Sequence, residues 1–425
     1  MRTVPPSSSP PPRPSLWRHR AFALLASAHA VSQVGSQISL VALPLLALTV
    51  LDASPAQLGL LTAAETAGFL LVGLPSGVWV DRMAKKPVLI VCDVVRAVAL
   101  GSLPVAHLLG GLGLPQLYAV ALVTGLATVF FQVAYQSYLP VLIAPDRMVE
   151  GNTRLQTLGT AAEVAGPGLG GWLTRLVGAP AAIVLDAFSF LGSALLLLGI
   201  RADEPAPAAE RRGLWTEMRE GLVFLARHDV LRALVASSAV ANLFGTAMMA
   251  MLPVFLVQET GVDFGTYGMV LAAGSVGGVI GAMTTEAQQR VIGGARLLWA
   301  NAVLAGLALL LVPFAEPGWR LGLAAAGLAV DGFFVASWAV ASVSLRQVLT
   351  PAGLLGRVNA TARFVNWGVM PAGALLGGLL TEAATARTTL LVCAFGYLAS
   401  CLPVLLTPRA RWGRAGIYDH RDGPV

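Results

Sequence analysis

Charge is scarce in this chain of 425 residues, since only 12% of them are Asp, Glu, Lys or Arg while 56% are hydrophobic. An average soluble domain carries about 25% charged and roughly 45–50% apolar residues. A soluble chain also interleaves its charges with apolar residues, so that each helix keeps a solvent-facing side. The shortage of charge excludes water as the main solvent and predicts a protein embedded in a membrane.

Cysteine and histidine are also rare, and neither occurs in a pattern typical of a metal or redox site. Cys92, Cys393 and Cys401 lie in apolar stretches without CxxC spacing, so the sequence suggests neither a disulfide framework nor a zinc site. The five histidines are scattered, and the phosphate-binding pattern GxxxxGK[ST] does not occur. We therefore expect no metal, no cofactor and no enzymatic activity.

Long apolar runs dominate the chain. Twelve stretches of about 20 or more residues are each long enough to cross a hydrocarbon core of roughly 30 Å as a helix. They are predicted at 21–49, 57–78, 86–109, 115–138, 155–176, 180–200, 231–256, 265–285, 296–314, 320–343, 361–381 and 387–407. The sequence thus predicts an all-α membrane protein with twelve transmembrane helices.

The positions of the basic residues predict the orientation in the membrane. If the N-terminus is cytoplasmic, 24 of the 28 Lys and Arg residues fall on cytoplasmic segments, three (Arg175, Arg320 and Arg387) fall outside, and Arg96 lies within the third stretch. Cytoplasmic loops are enriched in Lys and Arg, so both termini are predicted to be cytoplasmic. The net charge of +6 has the same origin, and we expect membrane lipids rather than nucleic acid as partners.

The longest hydrophilic interruption divides the twelve stretches into six and six. Its second part places Leu214, Met218, Leu222 and Leu225 at helical spacing, which predicts an amphipathic helix on the inner leaflet; a solvated connector is the alternative. The predicted organisation is a disordered cytoplasmic tail at 1–20, a six-helix bundle at 21–200, a cytoplasmic linker at 201–230, a second six-helix bundle at 231–407 and a cytoplasmic tail at 408–425.

The two halves of the chain match each other at an offset of 207 residues. The matching pairs are Ser137 and Ser344, Asn152 and Asn359, Gly170-Gly171 and Gly377-Gly378, Thr174 and Thr381, and Ser193 and Ser400. A register shared over more than fifty residues favours an internal duplication and two pseudo-symmetric six-helix bundles. Secondary transporters are commonly built from such repeats, with the substrate site near the midplane. One chain would contain both halves, so we expect a monomer.

The segment between the second and third stretches carries a dense group of charges. It reads GVWVDRMAKK from Gly77 to Lys86, and Asp93 and Arg96 follow one turn apart in the third stretch. Gly77 would allow helices to approach closely, and a carboxylate such as Asp81 is favoured at a helix N-terminus. Positive-inside anchoring explains the two lysines, but it does not explain Asp81, Asp93 and Arg96 together.

The pattern G-x-x-x-D-R-x-x-K-K resembles the signature loop of the major facilitator superfamily. Three further segments resemble its bacterial macrolide-efflux and enterobactin-exporter branch, namely SQVGSQISLVALPLLAL, EGLVFLARHDVLRAL and LLGRVNA. The resemblance implies alternating access in a bacterial plasma (inner) membrane. It also implies that Asp81 and Arg82 stabilise the outward-facing state, with Asp93 and Arg96 as their partners. The predicted gating residues are Gly77, Asp81, Arg82, Lys86, Asp93 and Arg96.

The fifth stretch contains GPGLGG from Gly166 to Gly171, which resembles the GPxxGG motif of exporters that work as antiporters. Glycines on one helix face permit close packing, and proline supplies a bend. The resemblance implies a hinge or packing role for Gly166, Pro167, Gly170 and Gly171. Ordinary small-residue packing is the alternative, and Ala162 stands where a glycine is usual in the motif.

Four acidic residues lie at membrane depth: Glu65, Glu163, Asp186 and Asp331. A charge near the bilayer centre costs at least about 2.5–3.5 kcal/mol, so each acid should face protein or water, or be protonated. Glu65, Glu163 and Asp331 lie closest to the predicted midplane and are the candidate proton carriers. A protonated, hydrogen-bonded acid with a structural role is the alternative, which we favour for Asp186.

Polar and aromatic side chains at similar depth complete the predicted cavity, with Gln33, Gln132 and Asn242 as the polar candidates. Such a cavity suits a lipophilic, neutral or cationic compound better than a phosphate or dicarboxylate, which would require buried Arg or Lys. The hypothesis is a secondary transporter that exports a small lipophilic compound, such as a drug, antibiotic or siderophore, in exchange for protons. A nutrient uptake symporter and a non-transporting membrane sensor are the alternatives.

Overall fold

The computed structural model describes residues 15–201, 204, 214–351 and 353–408. The predicted tails at 1–20 and 408–425, and the Pro/Ala part of the linker, lie largely outside the described residues.

Helices make up most of the described chain. The first half contains α1 (Arg20–Val50), α2 (Pro55–Val72), α3 (Pro75–Asp81), α4 (Lys85–Leu108), α5 (Leu114–Leu142), α6 (Met148–Val177) and α7 (Ala179–Leu198). The linker contains α8 (Leu214–Arg227). The second half contains α9 (Asp229–Pro253), α10 (Phe264–Ile292), α11 (Gly294–Leu309), α12 (Leu321–Leu349), α13 (Leu355–Gly368), α14 (Met370–Ala383), α15 (Ala386–Leu398) and α16 (Leu402–Leu405). A π-helical turn, Val254–Glu259, continues α9.

Eleven helical segments within the described residues are long and apolar enough to cross a membrane. The predicted stretch at 155–176 lies in α6, which is not among them. That helix is rich in glycine and carries four charged residues, Glu150, Arg154, Glu163 and Arg175. The all-helical membrane fold is therefore confirmed, while the count of twelve spans stays a prediction.

Two of the predicted stretches are broken helices. The stretch at 57–78 divides into α2 and α3 just before Pro75, and the stretch at 361–381 divides into α13 and α14 just before Pro371. Proline lacks the N–H that would continue a helical ladder, so it is tolerated at the start of a helix. Helices α12 and α13 also extend about six residues beyond the predicted limits, to Leu349 and from Leu355, because backbone hydrogen bonding continues where the apolar composition ends.

The linker helix α8 packs on α13 and α9. Glu220 forms an ion pair with Arg357 of α13, and Gly221 lies against the backbone of the same residue. Leu225 is 5% exposed in this contact, whereas Leu222 is 52% exposed. The side chains of the predicted apolar residues 214 and 218 lie outside the described part, and the location on the inner leaflet stays a prediction.

The two halves have equivalent patterns of helix packing. In the first half α1 packs on α6 and α7, and α5 packs on α2 and α4. In the second half α9 packs on α14 and α15, and α12 packs on α10 and α11. Contacts between the halves are made chiefly by α6 with α10 and by α2 with α14.

Pairs of glycines form both contacts between the halves at one end of the molecule. A Cβ atom on Gly171 of α6 would lie 2.9 Å from Cα of Gly268 in α10. A Cβ atom on Gly59 of α2 would likewise lie 2.9 Å from Cα of Gly378 in α14. Any side chain would therefore separate the backbones. We call the end defined by Gly59, Gly171, Gly268 and Gly378 the closed end.

The 207-residue offset relates positions that have equivalent surroundings. Gly170 lies against Ile38 of α1, with 3.1 Å from its hypothetical Cβ to Cα of Ile38, and Gly377 lies against Ala247 of α9 at 3.0 Å. Gly171 and Gly378 both contact the opposite half. The pairs Thr174 and Thr381, and Ser193 and Ser400, are all buried. These equivalences support the predicted duplication.

An ion pair also connects the halves at the closed end. Arg175 Nη1 at the end of α6 lies 3.3 Å from Asp263 Oδ1. Asp263 caps α10, because its carboxylate accepts hydrogen bonds from the backbone N–H groups of Gly265 (3.1 Å) and Thr266 (3.2 Å). The hydroxyl of Thr266 also donates to it, and this hydrogen bond is the main reason that the pKa of Asp263 lies below its ordinary value. The carboxylate therefore stays charged at neutral pH.

The glycine contacts predict a large effect of a single substitution. Gly171→Val should lower the free energy of unfolding by about 1–3 kcal/mol, because the added side chain overpacks the α6–α10 contact. Thermal unfolding of the purified protein in detergent measures this change. Gly322→Val is the control, since a Cβ at Gly322 of α12 meets no atom within 4 Å. Equal unfolding temperatures for the two variants would contradict the prediction.

Candidate functional site

A cavity of about 940 Å³ lies between the two halves. Ligand pockets of about 300–1,000 Å³ accommodate drug-sized compounds. The first half contributes side chains from α1, α2, α4, α5 and α7, and the second half contributes side chains from α9, α11, α12, α13 and α15. The cavity is therefore lined by helices of both halves of the repeat.

Two of the predicted proton carriers line this cavity from opposite halves. Glu65 projects from α2 and Asp331 from α12, and both are half-buried. Tyr397 of α15 lines the same cavity and interacts with Asp331, whose Oδ1 is buried without a hydrogen-bond partner. Within the described part of the chain neither Glu65 nor Asp331 has an ion-pair partner. Each carboxyl can therefore exchange a proton with water in the cavity.

The other predicted cavity residues divide into two groups. Asn242 lines the cavity, and its side-chain amide donates to the Ser238 carbonyl one turn earlier (2.9 Å). Gln33, Gln132 and Glu163 are not among the residues that line this cavity, so their role in it stays a prediction. Glu163 is exposed on α6, a helix with no described residue in the lining. Hydropathy gave its depth but not the direction in which its helix face points.

Asp93 and Arg96 form a buried ion pair inside α4. The distance from Asp93 Oδ1 to Arg96 Nη2 is 2.5 Å, and the residues are 0% and 3% exposed. The Arg96 guanidinium lies between two aromatic rings, 4.4 Å from the centroid of Phe131 and 4.2 Å from that of Phe190. The partners expected for Asp81 and Arg82 are thus paired with each other.

Asp186 of α7 lies close to this pair and is fully buried. Its carboxylate accepts hydrogen bonds from the hydroxyls of Ser39 on α1 and Ser189 on its own helix. The charge of Arg96 also acts on it. These hydrogen bonds support the structural role that we favoured for Asp186.

The loop between α3 and α4 is held by its lysines. Lys85 Nζ donates to the carbonyl oxygens of Val80 (2.8 Å) and Met83 (2.7 Å). Lys86 Nζ donates to the carbonyl oxygen of Ile200 beyond α7 (2.7 Å). These hydrogen bonds fix the loop to the end of α7 and give the lysines a role beyond membrane anchoring.

A carboxylate lies at the N-terminus of α4, but it belongs to a residue that the sequence did not single out. Glu204 accepts hydrogen bonds from the backbone N–H groups of Lys85 (2.5 Å) and Lys86 (2.8 Å), where a negative charge complements the helix dipole. Asp81 is the last residue of α3. Gly77 makes no close helix contact among the described residues, because a Cβ there would meet no atom within 4 Å.

Two arginines that line the cavity were not predicted from the sequence. Arg346 of α12 and Arg363 of α13 both line it, although the topology count assigned them to cytoplasmic segments. The periodicity of Trp338, Ser342 and Arg346, each four residues apart, could have indicated that Arg346 shares the cavity face of its helix. The expectation of a cavity without basic side chains is thus wrong.

A cavity between two equivalent sets of membrane helices is the arrangement of a transporter of the major facilitator type. The sequence model of the transmembrane secretion effector family (MFS_3) matches residues 14–415, and the chain belongs to that family. The resemblance predicted from the loop at 77–86 is confirmed. The family and the relatives named below are transporters rather than enzymes.

Two relatives match nearly the whole chain. The multidrug efflux pump Tap of Mycolicibacterium fortuitum is 26% identical over 392 residues, which cover 89% of this chain and 93% of Tap. The uncharacterized MFS-type transporter y4rN of Sinorhizobium fredii is 26% identical over 397 residues, which cover 92% of this chain and 95% of y4rN.

Solved structures show the same fold at low sequence identity. The nucleoside transporter NupG superposes with a TM-score of 0.76 at 12% identity, covering 91% of this chain and 98% of NupG. An inward-facing bacterial homologue of the iron transporter ferroportin superposes with a TM-score of 0.74 at 18% identity, covering 92% and 99%. The chain is therefore a multi-pass membrane transporter of small molecules, and its fold leaves the substrate open.

Because the ion pair in α4 is buried, removing one of its charges should lower the free energy of unfolding more than removing both. Asp93→Asn leaves the Arg96 charge buried without its partner and should lower the free energy of unfolding by about 3–5 kcal/mol. The double variant Asp93→Asn/Arg96→Met removes both charges and should recover much of that loss. Thermal unfolding in detergent measures both changes.

Glu286→Gln is the control, because Glu286 pairs with Arg290 at the surface and both side chains are 77% exposed. An exposed pair contributes about 0–1 kcal/mol, so this variant should unfold close to the unmodified protein. A double variant that is less stable than Asp93→Asn would contradict the role of the ion pair.

Proposed function

We propose that this chain exports a small lipophilic compound from the bacterial cytoplasm in exchange for protons, by alternating access. It does so as a monomer in the plasma (inner) membrane, with both termini cytoplasmic. Its twelve spans form two pseudo-symmetric six-helix bundles, at 21–200 and 231–407, joined by the linker at 201–230. Helix α6 is the span that hydropathy alone does not identify, and its packing between α1 and α10 supports its inclusion.

The observation that carries the proposal is a pair of carboxyls, Glu65 and Asp331, in one cavity between the halves. A substrate and a proton that occupy the same cavity can compete, and such competition is the simplest basis of exchange. Since the two residues lie on opposite halves, a change in their protonation also acts on how the halves are held together. Neither has a basic partner in the described chain that would keep it permanently ionised.

The closed end supports alternating access. With cytoplasmic termini, Gly59, Gly171, Gly268 and Gly378 lie on the extracellular side, so this conformation opens toward the cytoplasm. Opening on the other side requires the two glycine contacts and the pair of Arg175 and Asp263 to separate. Glycine backbones in contact without interlocking side chains can separate and meet again. We assign the hinge and packing role on α6 to Gly166 and Gly170, which lie against α1, and to Pro167 and Gly171, which lie against α10.

We assign the gating role on the cytoplasmic side to Gly77, Asp81, Arg82, Lys86, Asp93 and Arg96. When the cavity closes toward the cytoplasm, the loop between α3 and α4 must approach the second half. Gly77 has open space around it in the present conformation and can accept a neighbouring helix there. Asp93 and Arg96 anchor the span that carries the loop.

The direction of transport and the lipophilic substrate are supported by the efflux pump Tap, to which the chain is similar along most of its length. Aromatic and apolar side chains of the lining, including Phe69, Phe190, Phe334 and Trp338, suit an apolar compound. An uptake symporter or a non-transporting sensor would have the same fold, and transport assays distinguish them.

The coupling role predicts selective loss of transport. In everted membrane vesicles that respire, the unmodified protein should accumulate the lipophilic dye rhodamine B. Glu65→Gln and Asp331→Asn should each reduce this accumulation to the level of empty vesicles, because a neutral amide cannot exchange a proton. Glu163→Gln is the matched control and should retain accumulation, since Glu163 lies off the cavity.

Three results would count against the proposal. Full activity of both cavity variants would remove the proton-coupling role of Glu65 and Asp331. Accumulation of the dye by intact cells that express the protein, with none in everted vesicles, would favour uptake. Dye movement in neither preparation would favour the sensor.

A further inference from the structure

Arg346 and Arg363 differ from Arg96, the buried arginine of the cavity, in having no acidic partner. Arg96 is neutralised by Asp93 at 2.5 Å. By contrast, the described residues provide no ion pair and no hydrogen bond for Arg346 or Arg363, which are half-buried and exposed, respectively, and Nε of Arg346 is buried without a partner. Two cationic side chains that face one cavity without a counter-charge indicate an anionic ligand.

The two guanidinium groups lie close to each other although they carry the same charge. The charge of Arg363 acts on Arg346, and both side chains line the cavity. Arg363 is held over the ring of Trp367, with 5.1 Å from its guanidinium carbon to the ring centroid. Two arginines that repel each other are stabilised together by an anion between them, and each can bind carboxylate or phosphate oxygens with two parallel hydrogen bonds.

Neutral polar groups accompany the arginines. Asn359 and Arg363 are four residues apart, so they lie on one face of α13, and Asn366 follows on the same face. All three line the cavity, and Oδ1 of Asn366 is buried without a hydrogen-bond partner. This face can hydrogen-bond the remaining polar atoms of a bound acidic group.

The arginines and the acids lie at different depths of the cavity. Asp331 and Arg346 are fifteen residues apart on α12, which corresponds to roughly 22 Å along a helix axis. Trp338 and other apolar or aromatic side chains line the region between them. A compound with an apolar body and an anionic group fits this order, with its anionic group at the end of the cavity away from the closed end.

We infer that Arg346 and Arg363 bind a carboxylate or phosphate group, and that the transported compound is an amphipathic organic acid or zwitterion. The inference rests on the proposed function for the identity of the cavity as a transport site. It narrows the lipophilic substrate to one that carries an acidic group. The same chemistry could come from the headgroup of an anionic lipid, so the test separates these two sources.

A matched pair of dyes tests the inference without transport. Rhodamine B carries a carboxylate, and its ethyl ester has the same aromatic cation without it. The full-length protein in phosphatidylcholine nanodiscs should bind rhodamine B about tenfold more tightly than the ester. Charge-assisted hydrogen bonds between the carboxylate and the arginines contribute enough binding free energy for a tenfold difference in affinity. Fluorescence polarisation, corrected with empty nanodiscs, gives both dissociation constants.

Arg346→Gln and Arg363→Gln should each lower the preference for rhodamine B toward onefold while binding of the ester persists. Retained ester binding shows that the cavity of the variant is intact. Arg290→Gln is the charge-matched control and should keep the full preference, because Arg290 is exposed and lies outside the cavity lining. Equal affinities for the two dyes in the unmodified protein, or a preference that survives both cavity substitutions, would overturn the inference.

Nanodiscs of phosphatidylglycerol separate the two sources of the anion. If a lipid headgroup occupies the arginines, these nanodiscs should weaken rhodamine B binding to the Arg290→Gln protein but not to the Arg346→Gln protein. If rhodamine B binding is weakened equally in both variants, the surface charge of the lipid alone explains the effect. That result would assign the site to the soluble compound. The binding experiment contains no proton gradient. Equal binding of the two dyes would therefore leave the proposal of proton-coupled export untouched. Conversely, loss of the proton-coupling proposal in the vesicle assay would leave the preference for rhodamine B in the binding assay unchanged.

Discussion

The close approach of glycine backbones at the closed end is the constraint on which the cavity depends. Where Gly171 meets Gly268 and Gly59 meets Gly378, the halves contact each other without intervening side chains. Lipid provides no hydrophobic driving force for helix association, so contacts of this kind rely on close van der Waals packing between small residues. The halves diverge away from these contacts, and the resulting space is the cavity that Glu65 and Asp331 share.

Charged groups inside the membrane region fall into two classes. One class is neutralised internally, as in the pair of Asp93 and Arg96 and in the hydrogen bonds of Asp186. The other class faces the cavity without an oppositely charged partner in the described chain, and it includes Glu65, Asp331, Arg346 and Arg363. The first class supports the fold, while the second remains available to water, protons and ligand.

The sequence predicted the helices well because hydropathy is a local property, and each apolar stretch is mostly helical in the structure. The 207-residue repeat also located equivalent packing positions, since glycine positions such as Gly171 and Gly378 are fixed by backbone contacts that duplication preserves. Residues whose role depends on rotation about a helix axis were predicted less well. Glu163 has a suitable depth but lies off the cavity. Arg346 lies beyond the apolar limit at residue 343 although its helix continues, and Arg363 lies just inside the limit at residue 361.

The spacing of Asp93 and Arg96 has a consequence for how the protein is made. The two residues are three positions apart on α4, so their ion pair forms within a single helix and needs no other span. An arginine alone at the centre of a helix raises the cost of its transfer from the translocon into lipid by about 2.5–3.5 kcal/mol. With its counter-ion already one turn away, this helix can enter the bilayer as a nearly neutral segment during synthesis, before Phe131 and Phe190 have arrived to enclose it.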